Sequence, residues 1–258
     1  MPLIDVHAHL QDSAFDQDRS DVIERCLTSG FDAVVLAGTT VPESRKIVEM
    51  AESNALLWAL VGVHPHEAKD WSDSAIGELE ELLNHPRVLG IGEIGLDFHY
   101  NFSSPDLQRQ ALREQWALAA QHQVPVEVHI REAFEDFFST IKDLPAPPNV
   151  LLHCYSGGMD QLETCLERGF HFSIGGTLTF RKAEETRRAF SRIPIDRIHL
   201  ETDCPYLSPE PFRSRRNEPA NLSHTLRKLA EVRDLPIEEL EKQLSANARQ
   251  FFGTKFRK

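Results

Sequence analysis

The feature that most constrains this chain is an eightfold alternation between short, nearly unbroken apolar runs and longer segments with helical spacing. The apolar runs fall at about 3–9, 32–38, 56–64, 88–96, 125–130, 150–155, 171–177 and 198–204. Helical spacing covers about 16–29, 42–54, 72–84, 106–122, 132–143, 159–168 and 181–192, and a final pair covers about 221–233 and 236–251. Strands apolar on both faces are buried on both faces, as in a parallel sheet covered by helices. Eight such repeats in 258 residues predict closure into a (β/α)8 TIM-type barrel rather than an open sheet, with one domain over 1–258. Pro145-Ala146-Pro147-Pro148 stands between a helix and the sixth strand, where a rigid turn accounts for it.

Hydrophobic residues make up 41% of the chain and charged residues 26%, so a core can form, while no apolar run approaches the roughly 20 residues that span a membrane. The first strand begins by about residue 3, leaving no space for a secretory signal, so a cytoplasmic location is expected. Cys26, Cys154, Cys165 and Cys204 lack CxxC spacing, which predicts reduced thiols rather than a disulfide frame or zinc finger. Strand alternation turns Cys154 and Cys204 away from the ligand side, as small core filler. The net charge of −12 argues against nonspecific coating of nucleic acid, which runs on phosphate neutralisation, yet it leaves room for a local basic site. No obligate protein partner is evident.

Ligand-type side chains recur where the apolar runs end. Leu3-Ile4-Asp5-Val6-His7-Ala8-His9 aims His7 and His9 at one point, because a strand alternates its faces. Glu93 in Gly-Glu-Ile-Gly-Leu-Asp, His129 in Pro-Val-Glu-Val-His-Ile-Arg, His153 in Leu-Leu-His-Cys-Tyr-Ser-Gly and Asp203 in Leu-Glu-Thr-Asp-Cys-Pro are each expected to end a strand. In such a barrel all strand ends surround one mouth, so residues distant in sequence converge there. Four imidazoles and two carboxylates suffice for two divalent ions, which a Glu93 carboxylate could bridge at a separation of roughly 3.5–4 Å. Ions so held lower the pKa of a bound water and polarise a phosphoryl or carbonyl oxygen, with Asp203 as both ligand and general base. The donor set suits zinc, manganese, cobalt or nickel, whereas magnesium usually prefers oxygen and water ligands.

The runs Ile4-Asp5-Val6-His7-Ala8-His9-Leu10, Gly62-Val63-His64-Pro65, Gly92-Glu93-Ile94-Gly95-Leu96-Asp97, His129-Ile130-Arg131-Glu132-Ala133, His153-Cys154-Tyr155-Ser156-Gly157, Glu201-Thr202-Asp203-Cys204-Pro205 and Arg216-Asn217-Glu218-Pro219 carry a specific likeness. Together they resemble the TatD family of metal-dependent hydrolases, within the amidohydrolase-like barrels, over the whole chain. The resemblance implies a divalent-metal phosphodiesterase acting on DNA. It also implies one ion held by His7, His9, Glu93 and Asp203 and a second held by Glu93, His129 and His153. Magnesium enters as a candidate metal through the same resemblance, which leaves the native ion open.

Several further residues bear on the site. His64, at the end of the third predicted strand, is expected to face the mouth as a substrate or leaving-group contact, since the ligand set is complete without it. His66, Glu67 and Asp97 read as structural or supporting groups. Alternation puts Glu127 inward, one layer below His129, and Glu201 beneath Asp203, where branched apolar residues normally fill a barrel. Either these carboxylates accept hydrogen bonds from ligand imidazoles, or, for Glu127, the strand register is shifted. Arg181 and Lys182, and then Arg213, Arg215 and Arg216, occupy the loops after the last two strands, where such barrels often bind phosphate; solvated surface charge is the alternative. Phe98, His99, Tyr100 and Phe102 offer flat surfaces to an unpaired base or pack their own loop. Arg131 is counted with the substrate contacts. The expected activity is hydrolysis of phosphodiester bonds in DNA at an exposed or single-stranded end. Hydrolysis of an amide, ester or lactone, or deamination, is the competing expectation, because the same constellation polarises a carbonyl carbon; a noncatalytic metal-dependent binding protein is the third.

Overall fold

Eight parallel strands neighbour one another in chain order in a computed structural model that describes residues 3–257. They are β1 (Leu3–Ala8), β2 (Phe31–Ala37), β3 (Leu57–Val61), β4 (Val88–Asp97), β5 (Val126–Arg131), β6 (Val150–Leu152), β7 (His171–Ile174) and β8 (Ile198–Leu200). The helices α1 (Arg19–Thr28), α2 (Val41–Ser53), α3 (Asp73–Leu83), α4 (Pro105–His122), α5 (Phe134–Ile141), α6 (Met159–Glu167) and α7 (Glu184–Arg192) follow β1 to β7 in turn. Two more, α8 (Leu222–Arg233) and α9 (Ile237–Phe252), follow β8. Local chemistry sets their ends. The Ser104 hydroxyl accepts from the Leu107 amide ahead of Pro105 at the start of α4, and Gln123 ends that helix in the left-handed region, as capping groups and proline at the first turn favour.

The chain forms a TIM-type barrel. Its seam lies beyond the end of β8, where the Asp203 amide donates to the His7 carbonyl at 3.0 Å and the His9 amide donates to the Cys204 carbonyl at 2.8 Å. Asp5 strengthens the seam by accepting from the Thr202 amide at 2.9 Å and the Thr202 hydroxyl at 2.5 Å. At the opposite end, where the strands begin, Phe251, Phe252 and Phe256 pack with Trp58, Leu60, Leu89 and Leu151. The C-terminal helix thus seals one end of the barrel and leaves the other open. Among the described residues no helix is long and apolar enough to cross a membrane.

Strand limits depart from expectation in two ways. β3, β6, β7 and β8 stop three or more residues short of the predicted apolar runs, because loop residues beyond their ends, such as Val63, Tyr155 and Cys204, are themselves buried. Hydrophobic runs report burial, and burial continues past the ladder. Conversely β4 runs on through Asp97, so Glu93 lies in mid-strand instead of at its end, beside a break in the β4–β5 register between Ile91 and Ile94. Gly95, at φ 143°, allows this path, since a Cβ there would collide with the His129 carbonyl.

Candidate metal centre and active site

His9, Glu93, His129, His153 and Asp203 line one cavity of about 720 Å³ at the open end, and His7 lies behind them, fully buried. The two oxygens of Glu93 face different sets of imidazoles. Oε2 is 3.6 Å from His7 Nε2 and 3.7 Å from His9 Nε2. Oε1 is 3.0 Å from His129 Nδ1 and 3.7 Å from His153 Nε2. Asp203 Oδ1 stands 3.6 Å from both His7 Nε2 and His9 Nε2. Asp203 itself lies three residues beyond β8 at φ 55°, a left-handed conformation that aspartate tolerates better than most residues.

The outward nitrogens of these rings fix which inward nitrogen can hold a lone pair. His9 Nδ1 lies 3.1 Å from the Ala37 carbonyl, which can only accept, so His9 donates there. His7 Nδ1 is bonded to Glu127, His153 Nδ1 to Glu201 at 2.9 Å, and His129 Nε2 to Asp97 at 3.1 Å. Each of the four rings therefore commits one N–H to an acceptor outside the centre and turns its other nitrogen inward, as metal-ligating histidines usually do. His7 Nε2 and His9 Nε2 are only 2.9 Å apart, although neither has a proton to share in this arrangement. A cation held by these rings and the carboxylates would relieve that conflict. The residues present fit a divalent metal: His7, His153 and Asp203, and also His7, His9 and Glu93, bring ligand atoms within 4.8 Å of one another.

The electrostatics follow from burial and crowding. Burial pushes the Glu93 carboxyl up, but the imidazoles of His64, His153 and His7 outweigh it and hold Glu93 well below its ordinary range. Burial lowers His153, yet the carboxylates of Glu201 and Glu93 outweigh it and hold the ring well above. Burial alone dominates His7, which falls well below its ordinary value, and Asp203, which rises well above.

The deeper carboxylates point inward, although the β4–β5 register shifts between Ile91 and Ile94, opposite Glu127. Glu127 is fully buried and bonds across the barrel to His7 of β1 and not to His129 above it. Glu201, also fully buried, holds His153 and accepts from the Ser173 hydroxyl at 2.5 Å. Among the described residues, Glu127 Oε2 and Glu201 Oε1 meet no hydrogen-bond partner. The support of His129 falls to Asp97, whose Oδ2 also meets His66 Nε2 at 2.9 Å and whose Oδ1 accepts from the amides of His99 and Tyr100 at 3.0 and 2.9 Å. One carboxylate thereby couples a ligand ring to the loop after β4. The sequence signal for Asp97 was its place at the close of the Gly-Leu-Asp run; nothing in the sequence marked the Ala37 carbonyl.

A family model described as TatD related DNase matches residues 4–253. The chain belongs to that family. The 3'-5' ssDNA/RNA exonuclease TatD of Erwinia amylovora is 39% identical, over 97% of this chain and 100% of its own length. The uncharacterized metal-dependent hydrolase YabD of Bacillus subtilis is 35% identical, over 97% of this chain and 98% of its own. The crystal structure of YjjV, a TatD homologue from Escherichia coli, is similar at a TM-score of 0.90 and 27% identity, covering 98% of both chains.

Around this TatD-type centre the remaining expected contacts divide. His64, Tyr100 and Arg131 line the cavity; Arg181, Arg213, Arg215 and Arg216 are not among its lining residues. The Arg216 guanidinium grips both Asp18 carboxylate oxygens at 2.6 Å, Arg213 lies 3.7 Å over the Phe180 ring and Arg215 lies 5.8 Å over Phe212. Tyr100 and Phe102 are exposed and stacked, 5.4 Å apart with an interplanar angle of 6°, whereas Phe98 packs against the core. Cys154 corrects an expectation: it lines the cavity instead of filling core. β6 has already ended at Leu152, and at φ 42° Cys154 no longer follows strand alternation. All four cysteines are free thiols.

Proposed function

We propose that the protein is a divalent-metal-dependent nuclease that removes nucleotides from the 3' end of single-stranded DNA or RNA. The observation that carries this is the convergence of four inward-turned imidazole nitrogens on two carboxylates in a chain of the TatD family. The name of the Erwinia relative supplies the substrate and the direction. His7, His9, Glu93 and Asp203 would hold one ion and Glu93, His129 and His153 the other, with Glu93 Oε2 and Oε1 each facing its own set. Bound there, the ions would supply Lewis acidity for the phosphoryl oxygen and would make a water more acidic.

The protein's own groups do the rest. Asp203, whose Oδ1 faces the His7 and His9 nitrogens, would take the proton from the attacking water through its other carboxylate oxygen. Glu127, Glu201 and Asp97 hold the ligand rings in place before substrate arrives. The exposed Tyr100–Phe102 stack, with the Arg131 guanidinium 4.7 Å over the Tyr100 ring, gives an unpaired base a flat surface beside the cavity. Paired bases are stacked within their duplex and cannot reach it, which favours single strands.

The test is digestion of singly end-labelled oligonucleotides by metal-loaded protein, with a duplex, an RNA strand and an amide substrate alongside. A 5'-labelled single strand should shorten to a ladder while a 3'-labelled one releases labelled mononucleotide at once. Hydrolysis of the amide with no cleavage of any phosphodiester would overturn the proposal.

A further inference from the structure

His64 sits in the same cavity as the metal-ligand candidates, and with Glu93 and His129 it brings three ligand atoms within 4.8 Å of one another. Proximity alone makes it a fifth imidazole ligand. Its hydrogen bonding says otherwise. His64 caps a short turn (Pro65–Asp70) that follows β3, and its Nδ1 accepts the backbone N–H of His66 at 3.1 Å. Pro65 has no N–H, so the His66 amide is the first in that turn that needs an acceptor.

A nitrogen that accepts an N–H carries no hydrogen of its own, and a neutral imidazole has one ring proton to place. That proton is therefore on His64 Nε2, the atom that faces the centre, 3.4 Å from Glu93 Oε1. The contrast with the other rings is complete: His7, His9, His129 and His153 donate outward and turn a potential lone pair inward, whereas His64 accepts outward and turns a proton inward. The ring is also held, edge-on against His66 at 4.4 Å and against His129 at 4.7 Å. To ligate an ion through Nε2, His64 would have to release the cap or become an imidazolate.

We propose that His64 is a hydrogen-bond donor to the scissile phosphate group, through Nε2–H, and not a ligand for an ion. This rests on phosphodiester hydrolysis at this centre. At 3.4 Å the contact with Glu93 is long for a hydrogen bond, and a Glu93 engaged by cations has less charge to offer, so the donor remains available to a substrate oxygen in the cavity. A fixed, buried donor aimed at developing phosphoryl charge belongs to the kind of group whose removal costs about 10²–10³-fold in turnover.

His64→Asn separates the possibilities, because asparagine is a good cap for the His66 amide yet is too short to place a donor at the Nε2 position. The variant and wild type are compared by calorimetric titration with Mn²⁺ and by steady-state cleavage of a 5'-labelled single-stranded deoxyoligonucleotide. Mn²⁺ stoichiometry and affinity should be unchanged within about twofold, while kcat falls by roughly 10²-fold with little change in KM. His64→Gln, whose side-chain amide reaches the Nε2 position, should recover part of kcat. Loss of bound Mn²⁺ in His64→Asn would make His64 a ligand, and unchanged kcat with unchanged Mn²⁺ would make it only a cap; either result overturns the proposal. A wild-type protein that binds Mn²⁺ but cleaves no phosphodiester would instead overturn the functional reading beneath it.

Discussion

Glu93 and Asp203 occupy similar surroundings but are placed by different devices, and their substitutions should differ accordingly. Glu93 is rigid within β4 and divides its oxygens between the His7–His9 and His129–His153 sets. If the centre holds the two ions proposed, Glu93→Ala should disturb both, lowering bound metal from about two per chain to below one and abolishing turnover. Elemental analysis with an activity titration checks this, and normal metal content with normal turnover would refute the bridging arrangement. Asp203 is set by a left-handed backbone turn beyond β8, which asparagine also adopts readily. Asp203→Asn should therefore keep its circular dichroism spectrum and melting temperature yet lose about 10²–10⁴-fold in kcat, the range expected for losing a general base. Retained kcat in a fully metallated variant would remove Asp203 from proton transfer.

At the scale of elements, the two ends of the barrel handle histidine differently. At the open end, rings meet carboxylates. Where β7 and β8 begin, His171 Nδ1 and His199 Nε2 meet at 2.9 Å, both against Phe251 of α9. Burial, aided by the Arg197 guanidinium, pushes His171 down to about 4, and burial with the neighbouring His171 ring pushes His199 well below its ordinary value. In the unfolded chain both titrate near 6.5. Between those values the unfolded state binds the proton and the folded state does not, so stability is full above about 6.5 and is lost as pH falls toward 4. His171 alone accounts for an effect on the order of 3 kcal/mol. Urea midpoints of wild type and His171→Gln between pH 7.5 and 4.5 test this. The variant should show a flatter decline, and parallel curves would mean that the pair titrates as it does in the unfolded chain.

Over the whole molecule, a net charge of −12 repels a polyanion, and the loop arginines do not reverse that at the cavity. Arg216 serves Asp18, and Arg213 and Arg215 lie over phenylalanine rings. Among the described residues, Arg131 is the one lysine or arginine that lines the cavity. Arg131→Ala should weaken binding of a single-stranded oligonucleotide and flatten the dependence of log affinity on log salt by roughly 0.7, the value for one lost phosphate contact on a single strand. Arg216→Ala should leave that slope unchanged and lower the melting temperature instead. Fluorescence anisotropy at several salt concentrations separates the two, and a flattened slope in Arg216→Ala would return the loops to the substrate.

The sequence by itself determined the barrel, because apolar period and strand count are written in local terms. They specify eight buried parallel strands, and His7, His9, Glu93, His129, His153 and Asp203 are among the ligand-type residues that interrupt or close those runs. Tertiary structure alone decided everything that depends on a neighbour from another strand. It decided that Glu127 of β5 serves His7 of β1 and not the histidine two residues away, since a tilted, closed sheet sets partners across the barrel by stagger. It decided that Arg216 finds Asp18, 198 residues away in the chain. It also decided the proton on His64, because a tautomer is fixed by the group that the other nitrogen meets, and that group is visible only once the turn after β3 has folded around Pro65.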